Sequence, residues 1–205
     1  DALAGRVAFI TGGGSGIGYG IAECLSAAGA SVAIFSRNEQ RVQSAVEKLS
    51  DEFEQPALGT VGDVREPESL ERAVQQTRDE LGSVDILINN AGMGHFGTFV
   101  THESSKIEAL LQLNCIAPAV LTRRILPGML ERGQGVIVNI ASGQSYQPMP
   151  YMATYAASKA FLLSWGLALR EELRGTGVQV NTICPGATVA SWAAARSKAA
   201  DSPVP

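Results

Sequence analysis

Tyr155 and Lys159 stand four residues apart in the run Tyr155-Ala156-Ala157-Ser158-Lys159. On a helix that spacing puts both side chains on one face, one turn apart. A free phenol titrates near about 10, too high for acid–base work at neutral pH. A fixed ammonium beside it favours the phenolate and moves that value toward the working range. Taken alone, the pair reads as an ordinary helical Tyr and Lys. Its chemistry depends on what the rest of the chain places around it.

The elements that must position the pair follow a strand–helix rhythm. Short β-rich runs recur at Arg6–Thr11, Ser31–Ser36, Ala57–Gly62, Val84–Asn89, Gly135–Ala141 and Val178–Cys184. Most are almost wholly apolar instead of alternating, the pattern of strands buried on both faces of a parallel sheet. Helical stretches lie between them. Ile17–Ala28 stops at Gly29, and Glu39–Ser50 carries Val42, Ala45, Val46 and Leu49 at helical spacing. Pro67 opens Glu68–Leu81, and Ala153–Arg174 closes at Gly175-Thr176-Gly177. The long stretch Lys106–Arg132 is expected to bend near Pro118 or Pro127, since proline removes a helix hydrogen bond. The alternation predicts an α/β fold, a doubly wound parallel sheet with helices on both faces. One domain is expected over residues 1–190, with an irregular Ala- and Ser-rich tail over 191–205.

The first strand runs into Thr11-Gly12-Gly13-Gly14-Ser15-Gly16-Ile17-Gly18 and then a helix. Glycines there let the backbone turn sharply and admit a pyrophosphate closely, while the helix start offers free N–H groups to the anion. The spacing is Gly-x-x-x-Gly-x-Gly, not the general Gly-x-Gly-x-x-Gly, so placement between strand and helix carries the reading. The second strand ends in Ser36-Arg37, where an NAD enzyme usually has an acid for the ribose 2′-hydroxyl. A guanidinium there suits a 2′-phosphate instead, so NADP(H) is expected over NAD(H). Asp63, just past the third strand, is placed either to accept from the adenine amine or to cap a following turn.

The totals exclude several other classes. Hydrophobic content of 45% with 18% charged residues fits a globular chain, and a net charge of -4 gives no footprint for nucleic acid. No run reads as a membrane span. The chain opens on Asp1, which leaves room for a targeting or anchor segment ahead of it. Cys24, Cys115 and Cys184 each fall in an apolar stretch, predicting reduced, buried thiols in a cytoplasmic protein. No cysteine or histidine cluster suggests a metal, and His95 and His102 are expected on a loop.

In order and spacing, Thr11–Gly18, Asp63-Val64, Asn89-Asn90-Ala91-Gly92, Asn114, Ser142, Tyr155-x-x-x-Lys159 and Pro185-Gly186 resemble the short-chain dehydrogenase/reductase family. The resemblance runs from Arg6 to about Thr188 and implies a three-layer Rossmann fold with oxidoreductase activity on a carbonyl/alcohol pair. Ser36-Arg37 is similar to its NADP-preferring members, although the neutral Gly13, Gly14 and Ser15 depart from those with a basic residue in the loop. By this resemblance Tyr155 is the general acid or base, and Ser142 hydrogen-bonds the substrate oxygen. Lys159 lowers the Tyr155 pKa and holds the nicotinamide ribose. Asn114 supports a water relay at a break in its helix. Gly12, Gly14, Ser15, Gly16, Ile17 and Gly18 form the phosphate loop. Val64, Asn90, Ala91 and Gly92 border the adenine side. Pro185, Gly186 and Thr188 border the nicotinamide and its phosphates.

The family's usual lid, further helix and final strand have no counterpart in Ala187–Pro205, which holds no apolar β run. What remains of the substrate pocket is expected from Met93, Gln144, Met149 and Met152, suggesting an apolar small-molecule carbonyl or alcohol. The resemblance also implies a homodimer through the two long helices, with the usual tetramer in doubt. A nucleotide-binding scaffold without catalysis is the alternative from another class.

Overall fold

The computed structural model describes residues 2–186. Thr188 and the tail 191–205 lie outside the described residues. Six strands form one all-parallel sheet: β1 (Val7–Thr11), β2 (Ser31–Ser36), β3 (Ala57–Val61), β4 (Ile86–Asn89), β5 (Gly135–Ile140) and β6 (Val178–Ile183). Their spatial order is β3-β2-β1-β4-β5-β6. Six α-helices connect them: α1 (Gly16–Ala27), α2 (Glu39–Glu52), α3 (Pro67–Glu80), α4 (Ser104–Leu111), α5 (Ala117–Glu131) and α6 (Ala153–Glu172).

Period-two alternation along the strands builds the two faces. Phe9, Phe35, Leu87 and Ile137 point into one core, filled by Leu70 and Val74 of α3 and Leu121, Ile125 and Met129 of α5. Ala8, Ile10, Val32, Ile34, Ile86 and Ile88 point into the other, filled by Ala22 of α1 and Val42, Ala45 and Leu49 of α2. Phe9 and Phe35 are fully buried and stack with ring centroids 6.0 Å apart. Each such ring contributes about 1.5–3 kcal/mol by leaving water. The predicted burial on both faces fails at the outer strands. In β6, Val178 and Val180 are buried while Gln179, Asn181 and Ile183 are exposed among the described residues. In β3, Thr60 alone is buried.

The long helical stretch breaks earlier than the prolines suggest. Between α4 and α5 the backbone makes a π-helical turn over Gln112–Ile116, centred on the buried Asn114. Pro118 sits in the first turn of α5, where its missing N–H is tolerated, and Pro127 lies inside the helix. The continuous helical run Ser104–Glu131 has 28 residues and a window of mean hydropathy 1.2, long and apolar enough to cross a bilayer. That corrects the expectation of no such run; half of the window is buried inside the fold, as in a core helix.

The sheet order reverses between β1 and β4, which pair through Ala8–Ile86, Phe9–Leu87 and Ile10–Ile88. The chain leaves β1 toward β2 on one side and leaves β4 toward β5 on the other, which opens a crevice for ligands between the two connections.

Candidate active site

The loop after β1 is locked to the segment after β4. Thr11 Oγ1 donates to Ile88 O at 3.2 Å and accepts from the backbone N–H groups of Asn90 (3.0 Å) and Ala91 (3.1 Å). Asn90 Nδ2 returns to Thr11 O at 2.9 Å and Gly12 O at 3.2 Å. Asn90 therefore fastens the loop with its side chain, while it also lines the cleft. Gly18 allows this closeness: a Cβ there would collide with Gly12 O and come 2.5 Å from Asn90 Nδ2. Gly14 faces the Arg41 backbone, with a would-be Cβ at 3.4 Å. Gly14 and Gly18 shape the loop without forming the cleft wall.

A cleft of about 350 Å³ runs along the strand ends. Gly12, Ser15, Gly16 and Ile17 line one side, beside Ser36, Arg37, Asp63 and Val64. Asn90, Ala91, Gly92 and Met93 line its middle, and Ser142, Tyr155, Lys159, Pro185 and Gly186 its far end. Gly16 has φ +59° and opens α1; the Ser15 side chain makes no cap bond, and the first turn holds no acid. Helix N–H groups are thus left without a side-chain acceptor at the cleft, as an anion site requires.

Lys159 is buried and its Nζ donates to Ile140 O at 2.8 Å. Nζ lies 5.9 Å from the Tyr155 ring centroid. Burial pulls the Lys159 pKa down to about 8. Gly92 makes room for the ammonium: a Cβ there would stand 3.3 Å from Lys159 Nζ and 3.4 Å from Asn114 Oδ1. Gly94 does the same for the phenol, with a would-be Cβ 3.2 Å from Tyr155 Cδ2.

Asn114, 1% exposed, ties the helix break to both sides of the site. Its Nδ2 donates to Met93 O and to Ser158 Oγ, both at 2.9 Å, and its Oδ1 accepts from Met93 N at 3.0 Å. Ser158 Oγ in turn donates to Tyr155 O at 2.7 Å. Ser142 caps the short 3₁₀ turn Gly143–Tyr146, its Oγ accepting from Gln144 N at 3.3 Å. Ser145 Oγ donates to Lys159 O at 3.0 Å, so the turn carrying Ser142 is pinned to the helix carrying Lys159.

The sequence missed Ser145 and Ser158, whose signal is weak because a lone serine beside a helix has many uses. It also missed Phe35, Gly62, Leu113, Ile140 and Ala141 as cleft walls; a closer reading of strand ends would have found Phe35, Gly62 and Ile140. Of the expected substrate-pocket residues, Met93 lines the cleft, whereas Gln144, Met149 and Met152 do not. Met152 is buried against Leu110 and Tyr155, with Met149 packed on that cluster, and Gln144 Nε2 turns to Met152 Sδ at 3.8 Å. Asp63 is held by Arg65 and accepts from its backbone N–H, closing the expected turn.

The cysteines differ from expectation. Cys115 alone is buried, Cys184 is half-buried, and Cys24 is exposed because it falls on the outer side of α1. Burial pushes the Cys115 thiol up, away from nucleophile chemistry. His95 and His102 lie outside helix and strand, as expected, with rings 5.7 Å apart. Among the described residues, no group of three or more His, Cys, Asp or Glu side chains is arranged to hold a metal.

The sequence profile of the short chain dehydrogenase family matches residues 6–201. The chain belongs to that family. The ketoacyl reductase HetN of Nostoc sp. is 38% identical to this dehydrogenase-family chain over 184 residues, covering 90% of the chain and 64% of HetN. A short chain dehydrogenase of Pseudocercospora fijiensis is 37% identical over 187 residues, covering 90% of the chain and 60% of that protein. The chain thus spans less than two-thirds of these two curated relatives. Among solved structures, L-sorbose reductase from Gluconobacter frateurii, complexed with NADPH and L-sorbose, superposes with a TM-score of 0.90 at 33% identity, covering 98% of this chain and 77% of that one. An actinorhodin polyketide ketoreductase variant with NADPH gives 0.91 at 35% identity, covering 96% and 76%.

Proposed function

We propose that this protein is an NADP(H)-dependent oxidoreductase that interconverts a carbonyl and a secondary alcohol, with Tyr155 as general acid in reduction and general base in oxidation. One observation carries the reading. Tyr155, Lys159 and Ser142 converge at one end of a cleft whose other end is an uncapped helix start beside Arg37.

The residues present suit the cofactor. Gly12, Ser15, Gly16 and Ile17 would hold the pyrophosphate, with Gly14 and Gly18 shaping the loop. Ser36 and Arg37 would hold the 2′-phosphate, and Asp63, Val64, Asn90, Ala91 and Gly92 the adenine side. Lys159 would hold the nicotinamide ribose, and Pro185 and Gly186 would border the ring; Thr188 would do so from outside the described residues. NADPH in two of the similar solved structures supports this choice over NAD(H). When bound, the cofactor supplies the hydride.

The chain's own residues do the rest. In reduction Tyr155 donates its hydroxyl proton to the substrate oxygen. Ser142 donates a hydrogen bond to that oxygen and steadies the charge developing there. Lys159, charged below about pH 8, favours the phenolate, which lets Tyr155 work in both directions. Asn114 holds the helix break where a water relay would return protons to Tyr155. Met93 in the cleft, with Phe96 and Tyr151 exposed close by at 5.9 Å centroid separation, supports an apolar substrate.

Exposed Leu111, Ile116 and Val120 along the α4–α5 run, with Phe161 and Leu167 on α6, support a homodimer through these helices. Free thiols at all three cysteines are in keeping with a cytoplasmic protein. The test is consumption of NADPH and NADH against ketones, aldehydes and alcohols. Tyr155→Phe should abolish turnover while NADPH still binds; full activity in that variant overturns the assignment.

A further inference from the structure

Asp63 stands at the mouth of the 2′-phosphate end of the cleft, and its negative charge is in the wrong place for an NADP site. Its Oδ2 lies 3.8 Å from Arg37 Nη1. An unopposed carboxylate there would draw Arg37 to itself and repel an incoming phosphate. The structure supplies an opponent. Arg65 Nε donates to Asp63 Oδ1 at 3.0 Å and Oδ2 at 3.1 Å, and Nη2 donates to Oδ2 at 2.5 Å. The Arg65 backbone N–H donates to Oδ1 at 3.0 Å. This fork-on-carboxylate geometry is the strong form of the pair, and it engages both oxygens. Arg37 keeps only the long contact, and its side chain remains 66% exposed, against 33% for Arg65 and 14% for Asp63.

We propose that Arg65 is a positioning residue for cofactor choice: by occupying Asp63 it cancels the one carboxylate that, among the described residues, pairs with Arg37, and leaves Arg37 available to the 2′-phosphate. The inference rests on the NADP(H) reading above and deepens it. The Asp63 carboxyl, held below the usual carboxylate range chiefly by the Arg65 hydrogen bonds, stays charged at working pH and therefore needs this partner. No loop cation substitutes for it, since Gly13, Gly14 and Ser15 are neutral. The selectivity thus depends on a residue placed so as to bond an acid and not the phosphate.

The experiment is direct titration of NADPH and NADH into the full chain, wild type and variants, with thermal melts to confirm folding. Arg65→Ala is expected to weaken NADPH by roughly tenfold while NADH changes little, the size of one close charge pair in a wet site. Adding Asp63→Asn to Arg65→Ala removes the uncancelled charge and is expected to restore the preference for NADPH over NADH, any loss of the adenine contact falling equally on both cofactors. Arg65→Lys keeps a charge beside Asp63 and is expected to retain most of the preference. Equal weakening of both cofactors by Arg65→Ala overturns the proposal, as does failure of Asp63→Asn to rescue, or an Arg65→Lys variant as weak as Arg65→Ala. Arg37→Ala separates this failure from failure of the underlying reading. If Arg37→Ala selectively weakens NADPH and Arg65→Ala does not, the NADP(H) site stands and the Arg65 role falls. If neither variant is selective, both fall.

Discussion

Asn114 grips Met93 by both of its backbone groups, donating from Nδ2 to the carbonyl at 2.9 Å and accepting at Oδ1 from the N–H at 3.0 Å. One side chain in a helix break thereby fixes the loop that lines the middle of the cleft. The same Nδ2 reaches Ser158 Oγ, which is bonded to the Tyr155 carbonyl. A change at Asn114 is felt at once by the loop, the π-helical turn and the helix that carries Tyr155 and Lys159.

Asn114→Ala leaves the half-buried Met93 backbone groups without their partner, which costs up to about 1–3 kcal/mol for a polar group shut off from water. A drop in denaturation midpoint together with a fall in kcat is expected. Asn114→Asp keeps the shape but sets a carboxylate oxygen against the Met93 carbonyl in a buried site, and should be at least as destabilised as Asn114→Ala in urea titrations.

Lys159 gives a stability signature with a definite sign. Its folded pKa, about 8, lies below the ordinary 10.5 because of burial. Between those values the unfolded chain binds the proton and the folded chain does not, so stability rises with pH across the window. Below about pH 8 the buried charge weighs against the fold in full. The gain from pH 8 to 10 is on the order of 2–3 kcal/mol. Urea denaturation at several pH values without cofactor should show this slope in the wild type, and Lys159→Met should lose it. The same titration predicts an alkaline fall in turnover as the ammonium is lost.

Ser142 has a structural task and a proposed chemical one, and they separate by size. As cap of the 3₁₀ turn its hydroxyl accepts from Gln144 N at 3.3 Å. Ser142→Ala is therefore expected to lower stability by about 0.5–1 kcal/mol. Loss of the hydrogen bond to the substrate oxygen should lower kcat by about 10²–10³-fold. A stability loss with no loss of turnover would leave Ser142 a cap alone.

Gly18→Ala tests the lock between loop and strand. The new methyl would strike Gly12 O and the Asn90 amide, which can yield only by breaking the Asn90 bonds to Thr11 and Gly12. Overpacking of this kind costs about 1–3 kcal/mol. NADPH affinity and the melting temperature should fall together, and Gly20→Ala, inside the same helix where a Cβ meets open space, should leave affinity close to wild type and raise the melting temperature slightly.

All six strands were legible to within one or two residues, because an apolar run with turn residues at both ends is a local pattern. The Gly-rich turn was legible for the same reason. The prolines advertise a kink in the wrong place, while the break at Asn114 that the family resemblance implied is the one present; Asn114 holds it through bonds to Met93 and Ser158, which lie 21 and 44 positions away. Met152 reads like a pocket residue among methionines and aromatics, but its burial depends on Leu110 arriving from another helix. Cys24 sits in an apolar stretch and still faces out, since helix rotation is set by the sheet it packs on.

Residue order alone was enough to establish the fold class, the glycine-rich turn at the end of the first strand and the Tyr155–Lys159 pair four positions apart, because each is written in short-range spacing. The bond from the Asn90 N–H to Thr11 Oγ1 across 79 positions and the burial that lowers the Lys159 pKa came from folding. Those depend on which distant surfaces meet, and the energy of burying a charge or filling a lone pair exists only once they have met.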